Sequence, residues 1–583
     1  MKTKLLNIAV PSLSGFLPAL LGSLFLSLPS SAQDVRDLVK TPQQAVSMNQ
    51  LPDGNIFLDY GRAAFGQIEL DLKGNDGDTV YVHLGECVKD GRVDRSPGGS
   101  RRYRVIAVPL QSRSRHYAPV IPADKRNTGK SAVKMPKEIG EVYPFRYCEI
   151  EGYKGRLSPS DVKRIAVNVR FNDDAASFRC DNEALNRVWE LSKYSIKATS
   201  FTGIYIDGDR ERIPYEADAL INQLGHYGVD AEYGMARRTF EWLMRHPTWP
   251  TEWIMQTVLI AWNDYLWTGS TDLISRYADV LKARTLTALV DSDTLLVTTV
   301  RGQTPEFLKS IHRKSKIKDI VDWPHSKKGK RGFQKGEDDA FVYTNYNAVV
   351  NAYHYESVNR LAVIMKALGR NKDAEELEAY AKKFRDTFNN AFLDKTAGIY
   401  RDGIGTDHSS QHANMFPLAF GLVPEENVKS VTDFVISRGL ACSVYGSQFL
   451  LDALFEGGNA QAAIDLMTND SDRGWLNMLN EGSTITMEAW GNKYKSNQDW
   501  NHAWGAAPAN IIPFRLLGVR PTSPGYRTCE IRPQIGNLRH AEGKVPTPYG
   551  SISVTVDQKV PGEYDIKVSC PKEIKYEIVY PKK

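Results

Sequence analysis

The spacing of apolar residues changes period twice along this chain, and that change constrains the architecture more than any other feature. From about residue 50 to 170, apolar side chains recur at every second position. Ile68, Leu70 and Leu72 alternate with Glu69, Asp71 and Lys73, and after Gly74-Asn75-Asp76-Gly77 the alternation resumes at Val80, Val82 and Leu84. Successive strand residues point to opposite faces, so this is a sheet with one buried face, and the turn residues predict a hairpin. From about 180 to 515 the period becomes helical. Leu361, Ile364, Met365 and Leu368 stand at i, i+3, i+4 and i+7, with Gly369 placed to end the helix. Asp373 and Glu376 have the spacing of a capping box, and Leu377, Tyr380, Ala381 and Phe384 repeat the apolar stripe. About a dozen segments follow the same rule. Paired in hairpins they can form a closed α/α toroid; an open solenoid is the alternative, though no fixed-period repeat is present. From about 520 the period returns to two, at Ile552, Val554 and Val556 and between Ile574 and Tyr580.

A chain of 583 residues is too long for one core, since domains hold roughly 100–200 residues. The expected parts are a signal peptide at 1–32, an N-terminal β domain at 33–172, a helical domain at 173–515 and a C-terminal β domain at 516–583. Lys2 and Lys4 precede an apolar stretch from Leu17 to Leu28, followed by the small-residue cleavage signal Ser30-Ser31-Ala32. The mature chain is therefore expected to begin near Gln33 and to be secreted or periplasmic. Gln33 in place of a cysteine argues against a lipid anchor, and no later apolar run has the length of a membrane helix. A hydrophobic content of 42% with 25% charged residues marks a globular chain, and a net charge of +5 gives no argument for nucleic acid. The six cysteines are far apart and lack C-x-x-C spacing, so they support neither a disulfide framework nor a metal site.

Two clusters carry chemistry. The first runs from Asp207 to Asp218, Asp-Gly-Asp-Arg-Glu-Arg-Ile-Pro-Tyr-Glu-Ala-Asp, with five carboxylates and two arginines in twelve positions. Gly208 and Pro214 break regular structure, so Asp207 to Arg212 is expected on a loop, with Pro214 in the first turn of the next helix. Like charges this close raise carboxyl pKa values, as a general acid requires, while Arg210 and Arg212 oppose the shift. A salt-bridged loop at a helix start would carry the same residues. The second cluster is Glu481-Gly-Ser-Thr-Ile-Thr-Met-Glu488-Ala-Trp490, followed by Asn501-His502-Ala503-Trp504-Gly505. A carboxylate flanked by tryptophans and a histidine can line a sugar pocket, where aromatic faces stack on sugar rings and carboxylates bind hydroxyls or activate water. Core tryptophans with a satisfied histidine are the alternative. Among the crowded tryptophans from 242 to 267, Trp253 after Pro250-Thr251-Glu252 is the best pocket candidate, and Trp323 in Asp322-Trp323-Pro324 is a second.

These motifs, in this order, resemble the α-L-rhamnosidases of glycoside hydrolase family 78 across nearly the whole mature chain. Phe57-Leu58-Asp59-Tyr60-Gly61, Gly66 and Gly85-Glu86 are similar to the family's β-domain motif. Phe178-Arg179-Cys180-Asp181-Asn182 with Leu185-Asn186, and Ala419-Phe420-Gly421-Leu422-Val423-Pro424, are similar to its helical domain. Leu517-Gly518-Val519, Pro524-Gly525-Tyr526, Ile531-Arg532-Pro533 and Thr547-Pro548-Tyr549-Gly550 resemble its C-terminal β domain. The resemblance implies a central (α/α)6 barrel flanked by an N-terminal β-sandwich-like domain and a small C-terminal β domain, which removes terminal α-L-rhamnose with inversion. It matches Glu211 to the general acid, Asp218 seven residues on to a sugar-binding carboxylate, and Tyr215 to the place of a tryptophan. Glu488 matches the general base, with Met487 replacing the first aromatic of that motif, and His502 a sugar-contacting histidine. The segment before Glu211 is shorter than the family's, so Asp207 and Arg210 are equivalents by position only, which leaves the monosaccharide open. Trp253 and Trp323 match pocket tryptophans.

Such hydrolysis needs no cofactor, and no metal ligand set is indicated, although the carboxylate density leaves a structural Ca²⁺ open. The expected partner is a rhamnose-bearing oligo- or polysaccharide. An anionic one would suit the basic density from Arg101 to Lys130 and from Arg313 to Arg331; solvated surface loops are the other reading. Rival functions are a glycosidase of the same fold for another sugar, a polysaccharide lyase on an α/α toroid, which would leave Glu211 and Glu488 without a role, and a non-catalytic glycan-binding protein.

Overall fold

Antiparallel pairing organises the first part of the chain. A computed structural model describes residues 37–580 except 326, 330, 331 and 335, and no side chain between 326 and 335. The predicted signal segment therefore lies outside the described residues. An eight-stranded sheet runs in the order Leu38–Gln44, Val162–Val169, Ile56–Asp71, Tyr143–Glu151, Thr79–Gly85, Tyr103–Pro109, with Ser47–Gln50 and His116–Tyr117 also paired to Ile56–Asp71. The predicted alternation is present, since Ile68, Leu70, Leu72, Val80, Val82 and Leu84 all bury into one core with Leu58, Phe145 and Ile150. The predicted hairpin is not. Ile56–Asp71 and Thr79–Gly85 are consecutive but unpaired, because Tyr143–Glu151 lies between them, with Cys148 opposite both Leu58 and Leu84. Alternation fixes which face is buried; it does not choose the neighbouring strand.

Fourteen α-helices follow among the described residues. Glu216–Val229, Thr251–Thr268, Ala348–Ala367, Gln411–Ala419, Ser447–Glu456 and Pro508–Ile511 pack each on the next in that order, and the last packs back on the first. These helices are buried on most sides, polar residues such as Asn222, Gln223, Asn351 and His412 included. Some of their inward polar groups pair across the core: Gln256 Nε2 donates to the hydroxyls of Tyr445 (2.6 Å) and Tyr353 (3.1 Å), while its Oε1 has no partner among the described residues. Outer helices such as Glu183–Ala198, Gly234–Arg245 and Asn371–Phe392 bury a single face. Gly369 closes Ala348–Ala367 with φ +70° as its position predicts, and Arg370 N–H reaches back to Met365 O at 2.9 Å. That tight closure starts the next helix at Asn371, so the expected capping box does not form. Asp373 falls inside the first turn and accepts from Arg370 Nε at 2.6 Å.

The last part is a four-stranded sheet, Ser177–Cys180, His540–Val545, Ile552–Val560 and Glu563–Ser569, beside a three-stranded one, Val519–Pro521, Thr528–Ile531 and Lys575–Ile578. Ile552, Val554 and Val556 are buried as their alternation demands. The edge strand Ser177–Cys180 comes from before the helices and pairs with His540–Val545, which ties the two ends of the helical region together. Five of the six cysteines are buried, Cys570 is half-buried, and all are free thiols. Among the described residues, no helix is long and apolar enough to cross a membrane.

Candidate functional site

The first cluster folds into a loop whose charges divide between two directions. Gly208 has φ +109°, and a Cβ there would lie 2.7 Å from Asp499 Oδ2, so only glycine lets this loop approach the second cluster so closely. Asp207 N–H donates to Ile213 O at 3.0 Å, and Ile213 N–H donates to Asp207 Oδ1 at 2.9 Å, closing the loop on itself. The helix begins at Glu216 after Tyr215 as N-cap, so Pro214 precedes the cap instead of occupying the first turn. Glu216 is buried against the N–H and hydroxyl of Thr248, and Arg212 turns to Glu141 (2.7 Å) and Asp209 (2.8 Å). Asp207, Arg210, Glu211 and Asp218 remain to meet the second cluster.

That second cluster is two backbone stretches lying side by side. His502 N–H donates to Thr486 O (2.9 Å), Thr486 Oγ1 donates to His502 O (2.8 Å), and Glu488 N–H donates to Asp499 O (3.2 Å). Gly505 permits the contact, since a Cβ there would meet Thr486 Cβ at 2.7 Å. Glu488 and His502 are thereby set next to each other.

Arg210 joins the clusters. Its Nη1 and Nη2 donate to Glu488 Oε2 and Oε1 at 2.5 and 3.0 Å, a two-pronged pair, and its Nε donates to Glu211 Oε1 at 3.3 Å. Burial disfavours the guanidinium charge, but Glu488 and Asp499 outweigh burial and hold Arg210 firmly protonated. Glu211 also accepts from the Tyr215 hydroxyl at 3.4 Å. The Glu211 side chain is 40% exposed and that of Glu488 only 2%.

His502 sits between two carboxylates, Nε2 at 2.9 Å from Asp218 and Nδ1 at 3.2 Å from Asp499. Burial works against an imidazolium, but these carboxylates override it and push His502 up to about 10, so both ring nitrogens donate. Asp499, although buried, is held low by His502 and Arg210. Asp207 is raised well above the usual carboxylate range by burial and by the nearby charges of Glu211 and Asp218. Asp218 Oδ2, Asp499 Oδ2 and Trp253 Nε1 are buried without a hydrogen-bond partner among the described residues, as groups awaiting a polar ligand would be.

Aromatic rings enclose the cluster. Tyr215 stands edge-on to Trp253 at 5.7 Å, Trp253 lies 6.4 Å from Trp504, and Trp504 lies 4.3 Å from His502 while its Nε1 donates to Glu488 O at 2.9 Å. Trp323 is half-buried further out and is reached through Lys495, whose Nζ is 5.9 Å from its ring and 3.4 Å from Glu488 Oε1. Every candidate from the sequence thus belongs to one neighbourhood, with Trp323 at its edge. Lys495 and Asp499 were missed. Asp499 stands three residues before His502, a spacing that could have flagged it; nothing local marks Lys495.

Glu488, Asp499 and His502 lie close enough to share a cation. The donor set does not suit one: both nitrogens of His502 face carboxylates, and Arg210 already occupies both oxygens of Glu488. Among the described residues, the two basic runs do not gather here. Arg102 is buried against Asp209, Arg104 donates to Pro122 O, and Arg313 donates to Pro247 O; Arg101 alone among these reaches the site's rim, 5.0 Å over Trp500. The side chains of Lys327, Lys328, Lys330 and Arg331 lie outside the described residues.

Residues 173–515 match the bacterial α-L-rhamnosidase six-hairpin glycosidase domain, residues 49–168 the concanavalin-like domain and residues 518–583 the C-terminal domain of the same proteins. The chain belongs to the bacterial α-L-rhamnosidase family. An α-L-rhamnosidase of Alteromonas sp. (strain LOR) is 22% identical over 576 residues, covering 92% of this chain and 57% of that protein. One from Formosa agariphila is 22% identical over 458 residues, covering 72% and 45%. The chain therefore spans about half the length of the curated relatives it matches. Its fold is that of the solved rhamnosidases from Aspergillus terreus (TM-score 0.74, 18% identity, 93% of this chain and 62% of that one) and Streptomyces avermitilis (TM-score 0.71, 17% identity, 93% and 50%), the latter complexed with L-rhamnose. Family membership accounts for the helical core with a β domain on each side.

Proposed function

We propose that this chain is an exo-acting glycoside hydrolase that releases terminal α-L-rhamnose with inversion, with Glu211 as general acid and Glu488 as general base. The observation that carries the reading is Arg210, which touches both glutamates and so sets two carboxyl groups of unequal exposure at one site. Glu211, half open to solvent, protonates the departing glycosidic oxygen on the side where the aglycone leaves. Glu488, enclosed and fixed, removes a proton from the water that attacks the anomeric carbon from the opposite face. Inversion needs room for that water, so the two carboxyl groups should stand about 6.5–9.5 Å apart in the complex. The unpartnered oxygens of Asp218 and Asp499, with Asp207 and the imidazolium of His502, bind sugar hydroxyls. Tyr215, Trp253 and Trp323 provide aromatic walls. With the export signal expected at residues 1–32, the substrate on this reading is one met outside the cytoplasm.

The test is incubation with a panel of rhamnose-bearing glycans, identification of the released monosaccharide, and proton NMR of its first-formed anomer. An α-linked substrate should give L-rhamnose that is β at first. Initial α product would mean retention; release of a different sugar would replace the substrate assignment, and an unsaturated uronate product would indicate a lyase.

A further inference from the structure

Two buried ionisable residues of the N-terminal β region, Arg102 and Glu86, have partners that lie in the proposed catalytic loops; burial pushes the Glu86 carboxyl up to about 8. Arg102 is buried, with Nε 2.6 Å from Asp209 Oδ2 and Nη2 3.0 Å from Asp124 Oδ2. Glu86 is buried and accepts from Arg102 N–H (2.7 Å) and from Asn501 Nδ2 (3.0 Å). Asn501 Oδ1 in turn accepts from Asp209 N–H at 2.8 Å. These contacts close a ring, Arg102 to Asp209 to Asn501 to Glu86 and back to Arg102. Asp209 comes two residues before Glu211, and Asn501 immediately precedes His502. Beside the ring, Ser100 N–H donates to Gln498 O (3.0 Å) and Ser100 Oγ to Asn497 O (2.8 Å), the carbonyl that also accepts from Arg210 Nη1 at 3.1 Å. Asn127 Nδ2 completes the hold on the acid loop by donating to Asp209 O at 3.0 Å.

We infer that Arg102 and Glu86 are positioning residues for the hydrolysis, and that the N-terminal β region sets the distance between acid and base from outside the helical domain. The inference rests on the assignment of Glu211 and Glu488 above. Arg102 acts only through Asp209, and Glu86 only through Asn501. Asp209 carries a buried charge shared by Arg102 and Arg212; without Arg102 the loop relaxes toward Arg212 and Glu141, away from the base. The Arg102–Asp209 contact is one of charge at short distance, since neither the Arg102 guanidinium nor Asp209 Oδ2 makes a hydrogen bond among the described residues; removing one member of such a buried pair leaves the other's charge uncompensated, and the remaining contacts of its loop then shift to meet it. Reaction rate is far more sensitive than binding to such geometry, because displacement by about 1 Å can cost around 10²-fold in rate.

The experiment uses the full chain. Arg102→Met removes the charge at similar volume, Arg102→Lys restores the charge without the forked donors, and Arg102→Met with Asp209→Asn removes both charges. Arg104→Gln is the control, since Arg104 donates to Pro122 O and touches neither loop. Steady-state kinetics on an aryl rhamnoside, corrected for folded fraction, are read beside amide hydrogen exchange at 207–213 and 497–502. Arg102→Met should lower kcat by about 10–100-fold with KM little changed, and exchange should quicken in both loops. Arg102→Lys and the double variant should recover part of the loss, and Arg104→Gln should match wild type. Wild-type kcat in Arg102→Met, or a loss explained wholly by its folded fraction, would overturn the positioning role. Should Arg102→Met fail to fold, Glu86→Gln reads the same ring from its other side, and unchanged kcat there has the same meaning. If the wild-type chain released no rhamnose, the catalytic assignment would fall by itself; unchanged exchange in both loops would then overturn the positioning role without reference to activity.

Discussion

The loop that carries Glu211 and the paired stretches that carry Glu488 hold chemically identical side chains in opposite ways. Glu211 has two long contacts, 3.3 Å from Arg210 and 3.4 Å from Tyr215, and its side chain is 40% exposed. Glu488 is fixed at backbone and side chain alike: its N–H donates to Asp499 O, its carbonyl accepts from Trp504, and its carboxylate takes both prongs of Arg210. On the proposed roles the difference has a reason. A general acid serves a leaving group that departs into solvent, so its surroundings must open. A general base must hold one water in line with one carbon, which calls for groups that do not move. In this site looseness and rigidity belong to different carboxylates, with a single arginine shared between them.

The largest effects should come from the two glutamates, and they should differ in kind. Glu488→Gln and Glu211→Gln should each lower kcat on a natural glycan by about 10²–10⁴-fold. Only Glu488→Gln should also lower the melting temperature, because it takes the enclosed counter-charge from half-buried Arg210; equal melting temperatures would remove the contrast drawn above. Next comes His502→Gln, which leaves Asp218 and Asp499 buried without their cation and should cost about 3–5 kcal/mol in denaturant unfolding. Since the imidazole is raised to about 10 in the folded chain, against about 6.5 when unfolded, its contribution is fully present below about pH 6.5. It is lost as pH rises through about 10, so the stability gap between wild type and His502→Gln should close over that window. A gap that widened with pH would mean that His502 is neutral in the fold.

Smaller changes sharpen the acid side. Tyr215→Phe removes one long hydrogen bond to Glu211, worth about 0.5–1.5 kcal/mol at most, so kcat should fall less than about tenfold. A loss as large as that of Glu211→Gln would give Tyr215 a part in proton transfer. The smallest effect concerns substrate charge. Arg101 and Lys495 flank the base side, and we propose that the glycan is anionic near the cleaved bond. On that reading kcat/KM for the natural glycan falls as salt rises, because long-range attraction is screened beyond about 10 Å at 0.1 M. A flat salt response would return the basic residues to the role of solvated surface.

What was legible in the sequence was local. Asp207 to Asp218 and Glu481 to Gly505 were recognisable because each packs unusual chemistry into a short run. The buried faces of the strands were recognisable because alternation is itself local. The pairing of Arg210 with Glu488 joins residues 278 positions apart, and no periodicity announces such a contact. The same blindness explains the false hairpin, where the true neighbour, Tyr143–Glu151, comes much later in the chain, and the absence of Arg102 and Glu86 from the candidate site. In sequence Arg102 looks like one of a run of basic residues and Glu86 like part of a β-domain motif, and the contacts that give them roles exist only once three parts of the chain have folded together. The expected capping box failed for a local reason of a different sort: the turn at Gly369 and Arg370 had already decided where the next helix began.

The central claim, that Glu211 gives a proton to the leaving group and Glu488 takes one from water, is tested most directly by leaving-group dependence. A leaving group that departs as a stable anion needs no protonation, so loss of the acid should then cost little, whereas loss of the base should cost the same with every substrate. Turnover of a rhamnoside with a strongly acidic phenol should be compared with that of an alkyl rhamnoside for wild type, Glu211→Gln and Glu488→Gln. The account predicts that Glu211→Gln approaches wild type on the phenolic substrate and fails on the alkyl one, while Glu488→Gln fails on both. Recovery of Glu488→Gln on the phenolic substrate, with Glu211→Gln inactive on both, would reverse the two roles and contradict the account.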